Sequence, residues 1–70
     1  MKHFSYKKVN KIFETMIPCS PNVEIDKEWI KIAENEDFIY ITSRRTADNR
    51  LVKKSNNQVV WSYYEDFYCG

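Results

Sequence analysis

The sequence predicts a single small α+β domain, with one N-terminal helix packed on an antiparallel meander sheet of about four strands. Two patterns lead to this prediction. An apolar stripe with helical spacing lies near the N-terminus, and runs rich in β-branched and aromatic residues, joined by short polar connections, fill the rest of the chain. A length of 70 residues leaves room for one hydrophobic core, and therefore for one domain over residues 1–70.

The first element is a predicted helix at about residues 5–17. Ser5 is a suitable N-cap, since its hydroxyl accepts a hydrogen bond from a free N–H group of the first turn. Pro18 stops the helix, because proline cannot continue it and the residue before a proline avoids helical geometry. The segment from Cys19 to Asn22 is then expected to be a loop. Apolar residues recur at spacings of three and four, which places on one helix face Tyr6, Val9, Ile12, Phe13 and Met16.

The predicted strands follow the helix, and their residues are β-branched and aromatic types that suit a half-buried sheet. Val23 and Ile25 allow one further short edge strand. Short connections between successive strands favour an antiparallel meander. The strands are expected at about residues 28–34, 37–44, 50–54 and 58–64, with turns at 35–37, 46–49 and 55–57. The sheet face beneath the helix is expected to contain Ile30, Ile32, Ile39, Ile41 and either Val60 or Trp61.

The composition narrows the classes of function. The net charge is +1, so the whole-chain balance gives no argument for binding nucleic acid or an anionic membrane. Gly70 is the only glycine, which leaves no glycine-rich loop to cradle a phosphate. His3 is the only histidine and lies near a chain end, so neither a catalytic base nor a zinc site is indicated. We therefore expect no enzymatic activity and no metal or cofactor.

Cys19 and Cys69 are the two cysteines, and they lie too far apart to form a CxxC pair. No apolar run reaches the ~18 residues that a membrane span requires, and no signal peptide is recognisable. We therefore expect a cytoplasmic protein without a membrane partner, in which both thiols are reduced. In an oxidising compartment the two would instead form a bridge. The abundance of residues with AT-rich codons indicates a bacterial, phage or other mobile-element origin.

A basic stretch at residues 44–54 is one candidate binding site. It holds five positive charges against one negative charge, and aromatic residues precede and follow it on neighbouring predicted strands. Cations beside aromatic residues on a sheet are suited to holding phosphates and stacking single-stranded bases. Known RNA-binding motifs are absent, so a small RNA- or single-stranded-DNA-binding domain is the alternative function. The basic residues are Arg44, Arg45, Arg50, Lys53 and Lys54.

An acidic stretch precedes the basic one. Residues 24–37 carry a net charge of −4, and residues 44–54 carry +4. On different faces of the molecule, these charges would form a dipole that steers a partner. On adjacent strands they would neutralise each other, and the meander favours that arrangement. Glu24, Asp26 and Glu28 alternate along the chain, as a row that binds a cation or a basic partner, or as a solvated sheet edge.

The run of rings at residues 61–68 is the other candidate site. It holds five aromatic residues in eight, and they cannot all face one core. Tyrosine and tryptophan are enriched at protein interfaces, although a domain with a single leucine also needs rings for its core. The main hypothesis is a small non-enzymatic protein-binding domain, a regulator, inhibitor or adaptor that acts through an aromatic and charged surface. Its candidate contacts in this run are Tyr63, Tyr64, Phe67 and Tyr68.

Overall fold

The computed structural model of the protein describes residues 3–64. The five strands form one open antiparallel sheet in the order β1-β2-β3-β4-β5. This confirms the α+β class, with an N-terminal helix followed by a meander, although the sheet has five strands instead of about four. The elements are α1 (Tyr6–Glu14), β1 (Ile17–Glu24), β2 (Trp29–Glu34), β3 (Phe38–Ser43), β4 (Asp48–Lys53) and β5 (Gln58–Tyr64).

The helix is shorter than the predicted 5–17. Ser5 caps its start, because the Ser5 hydroxyl accepts a hydrogen bond from the Lys8 N–H at 3.2 Å. Thr15 caps its end, where the Thr15 hydroxyl donates to the Ile12 carbonyl at 2.8 Å. Ile17 is already extended as the first residue of β1, which agrees with the aversion to helical geometry before a proline.

The extra strand replaces the predicted loop from Cys19 to Asn22. This segment belongs to β1, so the loop prediction was wrong. The prolines at positions 18 and 21 are compatible with a strand here because β1 is an edge strand, where a missing N–H costs no ladder bond if it would face solvent. The pairing with β2 shifts register between Pro18 and Val23, so the strand is irregular as well as proline-containing.

The hydrophobic core lies between α1 and strands β3, β4 and β5. Val9, Leu51 and Val60 form its buried centre, and Leu51 is fully shielded from solvent. The predicted apolar helix face contributes to this core apart from Tyr6, whose surface is 70% exposed. The partly buried residues packed around the centre are Phe4, Ile12, Phe13, Met16, Phe38, Tyr40 and Trp61.

The sheet face beneath the helix differs from the predicted one. Tyr40 pairs with Leu51, and Leu51 pairs with Trp61, which places these three side chains on the helix side. Ile39 and Ile41 flank Tyr40 in β3 and therefore point to the opposite face. The prediction that these two isoleucines lie beneath the helix was wrong. Strand periodicity fixes which residues share a face, but not which face the helix covers.

Long polar side chains cover the face opposite the helix. Ile41 lies between Lys31 on β2 and Arg50 on β4, and only 9% of its surface is exposed. The Arg50 guanidinium lies 4.6 Å from the centroid of the Trp29 ring. Such side chains shield apolar surface with their aliphatic stems while their charged ends reach water. Side chains of β2 and β4 therefore shield the apolar residues of this face from solvent.

Short polar side chains define the turns. The Asn35 carboxamide oxygen accepts hydrogen bonds from the N–H groups two and three residues onward, at 2.9 and 2.8 Å. Asn57 has a φ of 56°, in the left-handed region that asparagine tolerates. The Ser43 hydroxyl accepts from two N–H groups of the following turn, both at 3.1 Å. That turn spans residues 44–47, because β4 begins at Asp48 instead of at the predicted residue 50.

Candidate interaction surface

Three rings form a continuous row where the start of α1 meets β5. The Tyr6 and Trp61 ring centroids are 6.4 Å apart, with the rings nearly perpendicular. Trp61 and Tyr63 are nearly parallel, with centroids 6.1 Å apart. Both arrangements are favourable geometries for aromatic pairs. We call Tyr6, Trp61 and Tyr63 the aromatic row.

The aromatic row is anchored in the core at its centre and exposed at both ends. Trp61 is half-buried and packs edge-on against Phe13, with ring centroids 5.8 Å apart. Phe13 in turn packs against Tyr40, at 5.0 Å. By contrast, 70% of the Tyr6 surface and 50% of the Tyr63 surface are exposed. The row therefore presents apolar area at the surface while its middle ring is held in place.

Tyr64 lies on the other face of the sheet. Strand pairing sets Tyr63 opposite Asn49 and Tyr64 opposite Asp48, so the two neighbouring tyrosines point to different faces. Tyr64 is also exposed, at 63%. The structure thus separates two residues that the sequence grouped into one candidate site. The remaining two, Phe67 and Tyr68, lie outside the described residues.

Three lysines lie together on the surface of the helix that carries Tyr6. Lys7 follows Tyr6 in the first turn, and Lys7, Lys8 and Lys11 share the lining of a shallow depression of about 240 Å³. The Lys8 ammonium lies 3.9 Å from the centroid of the Phe4 ring. None of these three lysines forms an ion pair with a residue among 3–64. This end of the helix therefore carries positive charge that no described carboxylate neutralises.

The two arginines that follow β3 pair with the acidic stretch. Arg44 contacts the Glu24 carboxylate at 3.1 Å, and Arg45 lies 3.9 Å from that of Glu28. The Glu28 carboxylate also accepts a hydrogen bond from Ser43, at 3.2 Å. Of the two charge arrangements that the sequence left open, the structure has the one in which adjacent parts of the meander neutralise each other.

Two of the other three basic residues of the 44–54 stretch also lie close to carboxylates of this chain. Arg50 lies 3.9 Å from the Asp48 carboxylate, in addition to its contact with Trp29. Lys54 contacts Glu34 at 3.0 Å. Lys53 is exposed and has no ion-pair partner within residues 3–64. The structure therefore distributes the five cations instead of gathering them into one patch.

Two carboxylates of the acidic stretch have lowered pKa values. Hydrogen bonds from Lys54 and then from Lys31 hold the pKa of Glu34 below its usual value, and both ammonium groups lie 3.0 Å from its carboxylate. Hydrogen bonds from the backbone N–H groups of Trp29 and Glu28, both 2.8 Å long, lower the pKa of Asp26. These interactions favour the ionised forms.

The three alternating acidic residues, Glu24, Asp26 and Glu28, already form interactions within the fold. Glu24 pairs with Arg44, and Glu28 contacts Ser43 and Arg45. Asp26 accepts the backbone hydrogen bonds that organise the connection between β1 and β2. Within residues 3–64, no three histidine, cysteine, aspartate or glutamate side chains are grouped closely enough to hold a metal ion.

An open apolar groove runs along β1. Its volume is about 620 Å³, and its lining includes Ile17, Pro18 and Val23. Cys19 lies in the same groove and is half-buried, whereas Cys69 lies outside the described residues. The expectation that both thiols are reduced therefore stays a prediction.

Searches of protein-family models, curated proteins and solved structures found no match to this chain. In the described part of the chain, no helix is long and apolar enough to cross a membrane.

Tyr6 is the residue of the aromatic row that sequence analysis assigned to the core instead. Helical spacing places it at the margin of the apolar face, on the same side as Phe13. Its phenol ring is also amphipathic and suited to a position between core and water. These two signals were available in the sequence. The position of β5 relative to the helix, which brings Trp61 beside Tyr6, was not.

Proposed function

We propose that the chain is a small non-enzymatic protein-binding domain, acting as a regulator, inhibitor or adaptor, and that the aromatic row contacts its partner. The observation that carries this proposal is the exposure of Tyr6 and Tyr63 on either side of the anchored Trp61. Tyrosine and tryptophan supply large contact area at low cost in conformational entropy, and they dominate the energetics of many interfaces.

The charge on the helix that carries Tyr6 supports a partner with acidic residues as well as apolar area. Lys7, Lys8 and Lys11 line one depression on this helix and have no carboxylate partner among residues 3–64. Complementary charge at the rim of an interface accelerates association and excludes wrong partners. In this proposal the rings supply most of the affinity and the lysines supply orientation.

The alternative is an RNA- or single-stranded-DNA-binding domain that uses the basic stretch at 44–54. It has less support, because four of its five cations contact carboxylates of this chain. The rings of the aromatic row also pack on each other, so they form one apolar surface instead of separate slots for stacked bases. The proposal keeps the sequence-based expectation of a cytoplasmic protein.

The proposal is tested by affinity capture from a lysate of the native host with two matched variants. Tyr63→Ser removes a ring of the aromatic row, whereas Tyr64→Ser removes a comparably exposed ring from the other sheet face. A partner of the proposed kind is retained by the unchanged protein and by Tyr64→Ser. It binds Tyr63→Ser about 30-fold more weakly, which corresponds to a hot-spot loss of about 2 kcal/mol.

A fluorescent single-stranded oligonucleotide, titrated at low and at physiological salt, tests the alternative in parallel. Salt-sensitive binding that is lost on replacing Arg44 and Arg45 with alanine would favour nucleic acid over protein. A captured protein that binds Tyr63→Ser and Tyr64→Ser equally well would show that the aromatic row is not the contact surface.

A further inference from the structure

The outer edge of β5 presents backbone groups that, apart from the Val60 carbonyl, form no backbone hydrogen bond with residues 3–64. The Val60 carbonyl accepts a hydrogen bond from the Phe4 N–H at 2.9 Å, so it points away from β4. The Tyr63 carbonyl accepts from the Asn49 side chain at 3.4 Å, so it points towards β4. Backbone groups alternate in direction along a strand, which turns those of Ser62 and Tyr64 outward. Nothing within residues 3–64 forms a backbone hydrogen bond with them there.

The composition of β5 leaves this edge unprotected. The strand Gln58–Tyr64 contains no charged residue, no proline and no glycine, and it is rich in β-branched and aromatic residues. Natural proteins usually protect edge strands with charges, prolines or irregular pairing, because a regular edge is a template for another strand. The β5 pairing with β4 shifts register once, between the Leu51–Trp61 and Val52–Val59 pairs, and is regular from Trp61 to Tyr64. The other edge strand of this sheet, β1, has two prolines in addition to a register shift. The C-terminal half of β5 is therefore better suited to strand addition than β1.

We propose that a second copy of this chain adds to the β5 edge, antiparallel and about a two-fold axis that passes beside Tyr63. In this register, Ser62 exchanges backbone hydrogen bonds with Tyr64 of the partner subunit, and the symmetry repeats the exchange. Such an isologous contact uses the same patch twice, so the patch must be complementary to itself. The inference concerns the strand edge and does not depend on the proposed binding partner.

Self-complementarity of the edge supports a second copy as the occupant. On the helix side, Tyr63 would lie directly opposite Tyr63 of the partner subunit, where cross-strand aromatic pairs are favourable. The two aromatic rows would then join into one. The absence of charge in β5 means that pairing two copies brings no like charges together in the strands. The Val60 carbonyl already accepts a hydrogen bond from the Phe4 N–H, so pairing with a second copy is limited to the C-terminal half of β5. Because this contact is short, the dimer is weak and depends on concentration.

Two measurements on the unchanged protein test the inference. The molar mass from sedimentation equilibrium should rise with concentration, from the 8.5 kDa of one chain towards twice that value. Amide hydrogen exchange should slow at Ser62 and Tyr64 over the same concentration range, by about tenfold when nine-tenths of the chains are paired. The Tyr63 amide, which faces β4, serves as the internal control, because its exchange should not respond to pairing.

Two substitutions at one position sharpen the test. Ser62→Pro removes the outward N–H without altering the aromatic row, and Ser62→Ala keeps that N–H. Ser62→Pro should stay at one chain throughout, whereas Ser62→Ala should dimerise like the unchanged protein. If Ser62→Pro does not fold, the exchange data on the unchanged chain decide.

Three results would overturn the inference. The first is a molar mass that stays at that of one chain at the highest attainable concentration. This includes the case in which the Ser62 amide is protected from hydrogen exchange only when another protein is added. The second is equal association of Ser62→Pro and Ser62→Ala. The third is a dimer that protects β1 amides instead of those of Ser62 and Tyr64. A dimer that persists when Tyr63→Ser abolishes partner capture would separate the edge contact from the proposed function.

Discussion

β1 and β5 are the two edges of the same sheet, but they are related to the core in opposite ways. β5 contributes Val60 to the buried centre and Trp61 to its border, whereas every residue of β1 is exposed except the half-buried Cys19. β1 also carries two prolines, and β5 carries none. β5, which is anchored in the core, therefore exposes aromatic rings and backbone groups that residues 3–64 leave unpaired. β1, which has few core contacts, carries the prolines that oppose pairing with another strand.

This contrast indicates how a chain of this size divides its few apolar residues. One core forms around α1 and strands β3 to β5, and β1 lies beyond its reach. A binding surface that is already ordered loses little conformational entropy when a partner binds. Aromatic rings that pack against the core are ordered in this way. The first two of the three predictions below test the contrast between the two ends of the sheet, and the third tests an ion pair between β2 and the residue after β4.

The largest effect is expected for Leu51→Ala. Leu51 is fully buried between Val9 and Val60, so its truncation should lower the free energy of unfolding by about 2–5 kcal/mol. That is a large share of the stability of a small domain. Ile17→Ala on β1 is the matched control: Ile17 is 71% exposed, and the change should stay within about 0.5 kcal/mol. Urea denaturation measures both, and equal losses would show that β1 shares the core.

A smaller effect is expected for Asn49→Ala. The buried Asn49 amide donates to the carbonyls of Ala47 and Tyr63, at 3.1 and 3.4 Å, and so ties the turn before β4 to the end of β5. Its removal should cost about 1–3 kcal/mol, because it takes a buried donor away from two part-buried carbonyls. Asn22→Ala, at an exposed position of β1, should melt within a degree or two of the unchanged protein. A neutral Asn49→Ala would mean that strand pairing alone holds Tyr63.

The smallest effect concerns pH and the Glu34 carboxylate. Its pKa is lowered by hydrogen bonds from Lys54 and Lys31, so it favours the folded state at pH values above the pKa of the unfolded carboxyl, about 4.3. This contribution is lost as the pH falls through the lowered pKa of the folded state. The difference in Tm between the unchanged protein and Glu34→Gln should therefore be visible at pH 7 and shrink below about pH 4.

Glu36→Gln is the control for the pH prediction. Glu36 is exposed and forms no ion pair with residues 3–64, so its removal should leave the acid limb of the stability curve unchanged. A Tm difference for Glu34→Gln that is constant from pH 7 to pH 3 would show that protonation of Glu34 does not change stability.

Much of the fold could be predicted from local signals. Ser5 and Pro18 bracket the helix, and asparagines mark two of the turns, because caps and turns depend on residues close in sequence. The boundary errors occurred where local signals conflict. The segment from Cys19 to Asn22 in β1 was interpreted as a loop because prolines are typical of loops, and only its position at a sheet edge makes them acceptable in a strand.

The candidate site was less predictable than the fold. The sequence singled out Tyr63 together with Tyr64, Phe67 and Tyr68, but strand alternation sends Tyr64 to the other face. It assigned Tyr6 to the core, whereas the structure pairs Tyr6 with Trp61 at the surface. The basic residues at 44–54 were correctly noted as a charge cluster, yet their pairing with Glu24, Glu28 and Glu34 depends on contacts distant in sequence.

The sequence by itself determined the α+β class, the order of helix and meander, and the alternation of faces along the regularly paired parts of the strands, since these follow from periodicity, caps and short connections. The tertiary structure alone decided which sheet face the helix covers. That choice buried Leu51 and Val60, placed Tyr6 beside Trp61, and left Tyr63 exposed. Periodicity determines which side chains share one face of a strand or helix. The free energy of packing one apolar surface on another determines which of these faces is buried.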